Sequence, residues 1–106
     1  MDKEKEAELR EKHGDLLISK IAGVEFAFQT PTDTDHEEYL NKLVKAANDK
    51  GKLGPAYREY CLRACVHPGP DELAAAFMKQ PAAAQKVGDA LEKLAGADVE
   101  ITVKKG

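Results

Sequence analysis

Three residues in one short stretch could do chemistry together: Cys61, Cys65 and His67. Two cysteines four apart share a face if their segment is helical, and thiolates at that spacing can meet a metal ion. A structural zinc site needs four ligands, and the fourth would have to come from His13 or His36, far away in sequence. Read instead as a nucleophile, a cysteine needs a basic partner. His67 is near in sequence, but it follows the helix end and directly precedes Pro68, and no third orienting residue or oxyanion loop accompanies it. Free cysteine is also among the most buried residue types and packs as a small hydrophobe. Buried, unactivated thiols are the expectation, and no catalytic, cofactor-binding or metal-binding residue is assigned.

Other motifs dissolve on the same scrutiny. Asp33, Asp35 and Glu37 alternate as in the start of a calcium loop, but that loop needs a glycine where Glu38 stands and a carboxylate where Val44 stands. Gly51-Lys52-Leu53-Gly54 lacks the preceding strand and the spacing of phosphate-binding loops. The helices around Pro81 could pass for a helix-turn-helix, yet the second would present Ala82, Ala83, Ala84, Gln85 and Lys86 to the bases. Tyr57 and Tyr60 could stack on a ligand. At helical spacing beside Cys61 and Ala64 they fit a core or a partner interface better.

The elements that would position these residues follow from periodicity. Residues 2–13 alternate in charge with almost no apolar stripe, which predicts an exposed helix, or an arm that orders on a partner, ended by Gly14. LLISKI (16–21) and VEFAFQ (24–29) form a hairpin through Ala22-Gly23, where glycine tolerates positive φ. In the second strand Val24, Phe26 and Phe28 face the core and Glu25, Ala27 and Gln29 face water. Thr34 with Glu37 fits a capping box for a helix over 35–49, whose core stripe is Leu40, Leu43, Val44 and Ala47. A polar connection over 48–55 leads to a central helix over 56–66, apolar around much of its circumference. Pro68-Gly69-Pro70 ends it. A short helix from Asp71 follows with Leu73, Ala74, Phe77 and Met78, then a break at Gln80-Pro81. The helix over 82–95 carries Gly88 in its interior, a position that suits a close helix crossing, and Gly96 caps it in a left-handed conformation. Val99, Ile101 and Val103 alternate with polar residues and predict a final strand.

Composition bounds the rest. The chain has 106 residues, enough for one domain with a core of its own. A hydrophobic share of 42% and a charged share of 33% fit a soluble folded protein rather than a disordered one. A net charge of −3 argues against general nucleic-acid binding, which depends on neutralising phosphates. Two cysteines close together are no disulfide framework, so a reduced, intracellular setting is expected. The charged N-terminal residues are not a signal peptide, and no apolar run is long enough for a membrane span.

The order of elements resembles tail assembly chaperones of tailed phages and prophages. The likeness lies in the hairpin LLISKIAGVEFAFQTPT followed by a charged helix, the tyrosine- and cysteine-bearing AYREYCLRACVHPGPDEL, the segment AAFMKQPAAAQ, and the ending LEKLAG. It covers residues 12–103. The resemblance implies a non-enzymatic helper that binds a tail protein, the tape-measure protein being the candidate client, in the cytoplasm of a bacterial host. It carries over no defined site residues. A small virion structural or adaptor protein is the alternative reading, and a thiol- or metal-dependent enzyme a remote one. A homo-oligomer is compatible with either of the first two. The expected fold is α+β: a charged helix or arm over 1–14, then a single globular domain over 15–106 with an N-terminal hairpin, four main helices and a short C-terminal strand.

Overall fold

The computed structural model describes residues 1–97 and 102–104. Among these residues the fold is mixed α+β, with five α-helices and one antiparallel sheet. The hairpin has the expected strands and turn, but Val24, expected to face the core, is 46% exposed. Strands β1 (Leu16–Ile21) and β2 (Val24–Gln29) pair from Ile21↔Val24 back to Leu16↔Gln29. Ala22 and Gly23 both have positive φ, 51° and 82°, the signature of a type I′ turn, whose twist matches that of the strands. The Ala22 N–H donates to Gln80 Oε1 at 2.9 Å and ties the hairpin tip to the break between the last two helices.

The third strand is not where the sequence placed one. β3 is Cys65–His67, antiparallel to β2, and the sheet order is β1-β2-β3. Cys65 and Val66, expected at the end of the central helix, belong to this strand. The expected C-terminal strand falls largely on residues 99–101, outside the described residues, and 102–104 carry no strand. Because β2 is the middle strand, Ala27 has Ile18 on one side and His67 on the other. It is fully buried rather than wet, as are its neighbours Phe26 and Phe28. Burying each phenylalanine contributes roughly 1.5–3 kcal/mol relative to an exposed ring.

Helix α1 (Lys3–His13) is the charged N-terminal segment. Asp2 caps it by accepting from the Lys5 N–H, and Leu9 is its one buried residue. The terminal amine of Met1 meets Glu25 at 2.9 Å, on the side of β2 opposite Phe26, so α1 begins against the outer face of the sheet.

Helix α2 (Asp33–Ala46) starts earlier than expected. Its cap is Thr32, whose hydroxyl accepts from the Asp35 N–H at 3.1 Å, and Thr34 lies inside the first turn. Helix α3 (Leu53–Ala64) also starts earlier, after a single 3-10 turn at Lys50–Lys52. Pro55 sits in its first turn, where the missing N–H has no helical partner to lose. Helix α4 (Pro70–Lys79) has proline at its first position, and α5 (Ala83–Glu92) runs into a wider turn over Lys93–Ala97, where Gly96 has φ 105°. The core is built from the inner face of the hairpin, Tyr39 of α2, Tyr60, Cys61 and Ala64 of α3, Leu73 and Phe77 of α4, and Val87 and Leu91 of α5. None of the helices is long and apolar enough to cross a membrane, among the described residues.

The close crossing expected at Gly88 is present. A Cβ there would lie 3.0 Å from Cδ1 of Tyr57 on α3. Alanine gains about 1 kcal/mol of helix propensity over glycine, while overpacking a filled site costs about 1–3 kcal/mol. Gly88→Ala is therefore expected to destabilise the chain by about 1 kcal/mol in urea unfolding. In a Tyr57→Ala background the same change should instead stabilise by about 1 kcal/mol. Equal effects in both backgrounds would show that α3 and α5 do not meet closely here.

Candidate functional site

The densest gathering of polar and aromatic side chains lies between α2 and α3, with one reach to α5. Tyr39 of α2 stacks on Tyr60 of α3, with ring centroids 3.9 Å apart and planes 8° from parallel. Both are only 2% exposed. Buried phenols need partners, and both have one. The Tyr39 hydroxyl donates to Glu92 Oε1 on α5 at 2.6 Å. The Tyr60 hydroxyl lies 2.8 Å from Nδ1 of His36, one turn before Tyr39 on α2. Burial, and then the Glu92 carboxylate, push the Tyr39 phenol far above its ordinary range. Burial does the same to Tyr60. Tyr57 stands beside Tyr39, with centroids 6.0 Å apart, and is half-buried.

Above this stack sits a layer of charge. Arg63 reaches Asp35 at 2.9 Å, Glu38 at 2.7 Å and Glu59 at 3.0 Å, and Lys42 pairs with the same Glu59. The hollow enclosed between this layer and the two tyrosines is about 10 Å³, room for a single water. The carboxylate of Asp35, one of the alternating acids that suggested a calcium loop, is thus turned to a guanidinium. Among the described residues no group of three or more His, Cys, Asp or Glu side chains could hold a metal ion.

The thiols do not form a pair. Cys61 lies in α3, fully buried, with its Sγ 3.5 Å from the carbonyl of Ala84 on α5. Cys65 is in β3, and its Sγ points to the His67 main-chain carbonyl at 3.7 Å, not to an imidazole nitrogen. Two cysteines four apart share a face only while the helix continues through both, and α3 ends at Ala64. Burial pushes the Cys61 thiol up to about 12 and raises Cys65 in the same direction. A thiol held protonated is a poor nucleophile and a poor metal ligand.

Sequence reasoning singled out Tyr60 and Asp35 but missed Tyr39, Glu92 and Arg63. The available signal was a second stripe on α2: Tyr39, Leu43 and Ala46 have the same helical spacing as Leu40, Val44 and Ala47. The structure buries Tyr39 and Ala46 of the first set and partly buries Leu43. Leu40 is left 44% exposed and Val44 74%, with Ala47 also on the surface. Met78, expected in the core, is 85% exposed.

A family model described as a domain of unknown function (DUF6848) matches residues 9–104. The chain belongs to this family. The match begins at Leu9, the buried residue of α1, and takes in every strand and the remaining helices. Among solved structures, the uncharacterised protein rbstp2171 from Bacillus stearothermophilus is similar, with a TM-score of 0.66 and 23% identity over 93% of this chain and 99% of that one. At that identity the likeness carries the fold alone. No curated protein matches the chain.

The raised thiol and phenol values fix a pH dependence. A group whose folded value lies above its unfolded value keeps its proton in the folded state longer than in the unfolded one. Its stabilisation is complete below the unfolded value and fades as pH rises. For Cys61 that decline begins near the ordinary value of 9.0 and runs toward about 12, with Tyr39 and Tyr60 adding to it above 10.0. Urea midpoints should be level around neutrality and fall from about pH 9, less steeply in Cys61→Ala. In the folded chain at pH 7 a thiol reagent should leave Cys61 unmodified. Rapid labelling of Cys61 at neutral pH, or stability that rises between pH 9 and 11, would contradict this assignment.

Proposed function

We propose that this protein is a non-enzymatic assembly helper that works by binding another protein, in the cytoplasm of a bacterial host, with a phage or prophage tail protein as its partner and the tape-measure protein as the candidate client. The observation that supports binding is the surface of α2. A helix of a monomeric domain ordinarily turns its largest apolar side chains inward. Here Leu40, Val44 and Ala47 form a row on the outside, beside the partly buried Leu43. Apolar rows left at the surface mark protein contacts more often than they mark chemistry. The groups that could have done chemistry are already engaged: the thiols are protonated, the phenols are hydrogen-bonded, and Asp35 is paired with Arg63 nearer the surface. The choice of a tail protein rests on the resemblance in element order and on nothing in the geometry.

Co-expression with the tape-measure protein is the direct test. The chain should co-purify with it and be missing from finished particles. Leu40→Glu combined with Val44→Glu should reduce capture at least tenfold with only a small loss of thermal stability, because Val44 is 74% exposed and Leu40 44%. Capture undiminished by the double substitution would remove α2 as the client surface. Failure to bind any tail protein would sink the reading.

A further inference from the structure

The open side of the sheet makes a more specific demand on a partner than the α2 row does. In the order β1-β2-β3, β1 is an edge strand six residues long. Ile21 and Val24 flank a two-residue turn, so they exchange both main-chain hydrogen bonds. Counting back by two, Ser19 and Leu17 also point their main chain at β2. Leu16, Ile18 and Lys20 must then point theirs outward. Among the described residues no main-chain hydrogen bond from another element reaches these outward groups.

Beside this edge, α5 runs along β1 on the core side. Two adjoining hollows of about 360 and 130 Å³ lie between them. Ser19, Lys86 and Val87 line both, Ala83 closes one end and Ala90 the other. The lining is mixed, with Ala83, Val87 and Ala90 among polar side chains of Ser19, Gln80 and Lys86. Lys86 stands exposed at its rim without a salt bridge among the described residues, and Lys20 lies on the edge itself, across from Glu25.

We infer that the free edge of β1 beside α5 is a docking site for an extended, acidic segment of a partner protein, which joins the sheet as a fourth strand. The outward amides and carbonyls specify the backbone: only an extended chain can match a row of donors and acceptors repeating every second residue. The groove specifies the side chains. Alternate residues of the incoming strand would lie on Ala83, Val87 and Ala90, and an acidic one would meet Lys86. The two lysines argue against a second copy of this chain. An antiparallel pairing of β1 with itself would bring Lys86 of each copy toward the same axis, where like charges repel. This inference rests on the protein-binding reading above and names the form the partner takes.

The probe is a capped peptide Glu-Val-Thr-Val-Glu-Val, titrated into the full chain and followed by amide shifts and hydrogen exchange. The amides of Ile18 and Lys20 should move and become slow to exchange. The matching peptide with lysine in place of glutamate should bind at least fivefold more weakly, and Lys86→Glu should weaken the acidic peptide about fivefold. Ile18→Pro removes an outward N–H and leaves the ladder to β2 intact, so it should abolish binding. Should that variant fail to fold, Lys86→Glu and the amide protection in the unaltered chain still decide the matter. Equal binding of the basic peptide, or binding that leaves both amides exposed, overturns the proposal. So does protection of those amides without peptide: in a dimer it assigns the edge to a second copy, and in a monomer to the chain's own residues. A chain that captures a tail protein while these amides stay unprotected keeps the protein-binding reading and loses strand addition.

Discussion

The stack of Tyr39 on Tyr60 sets how the helices of this fold can sit. Two phenol rings in near-parallel contact bring α2 and α3 together at a fixed rotation. Each hydroxyl then has to find a partner in a largely buried place, because an unmatched buried donor costs about 1–3 kcal/mol. Glu92 supplies one partner from α5, and His36 supplies the other from α2 itself. A single pair of rings therefore orients three helices. The ions around Arg63 lie over the pair and are partly exposed, so each contributes little alone.

That constraint explains the surface. Once Tyr39 points inward, the helical period carries Leu43 and Ala46 in with it and swings Leu40 and Val44 out. No rotation of α2 can bury both stripes. The same economy of cover appears in the sheet, where three strands and five helices leave the outer edge of β1 beside a shallow groove. The chemically suggestive residues lie on the other side of this division. Cys61 packs against α5, Cys65 sits in β3, and Tyr60 fills the stack. The exposed apolar row of α2 and the groups that could have done chemistry are thus separated.

Much of the architecture was legible in the residues. The alternation of Phe26 and Phe28, with Ala22-Gly23 ahead of them, has one reasonable reading, and the hairpin follows it. Gly88 inside a helix and Gly96 after it announced a close crossing and a left-handed turn, and both are present. The face of α2 was not legible, because two stripes of equal spacing compete, each with one leucine and one alanine, and they differ only in Val44 against Tyr39, whose hydroxyl makes it read as the less apolar. The decision is made by Tyr60 and Glu92, which are distant in sequence. The strand Cys65–His67 was hidden for a related reason. Three residues are too few to show a period, and their place depends on β2 needing a second neighbour. The capping-box pattern pointed to Thr34 alone, and only the actual path of the chain after Pro31 puts the cap two residues earlier at Thr32.

The separation of a quiet interior from a receptive surface can be measured in one experiment. Hydrogen exchange of the full chain, alone and in complex with its captured client, reads every segment at once. Added protection should be concentrated in residues 16–21 and 40–47, with 57–67 unchanged because Tyr60, Cys61 and Ala64 of that segment already face the core. Protection that instead appears over 57–67, with both outer segments left as they were, would contradict the account.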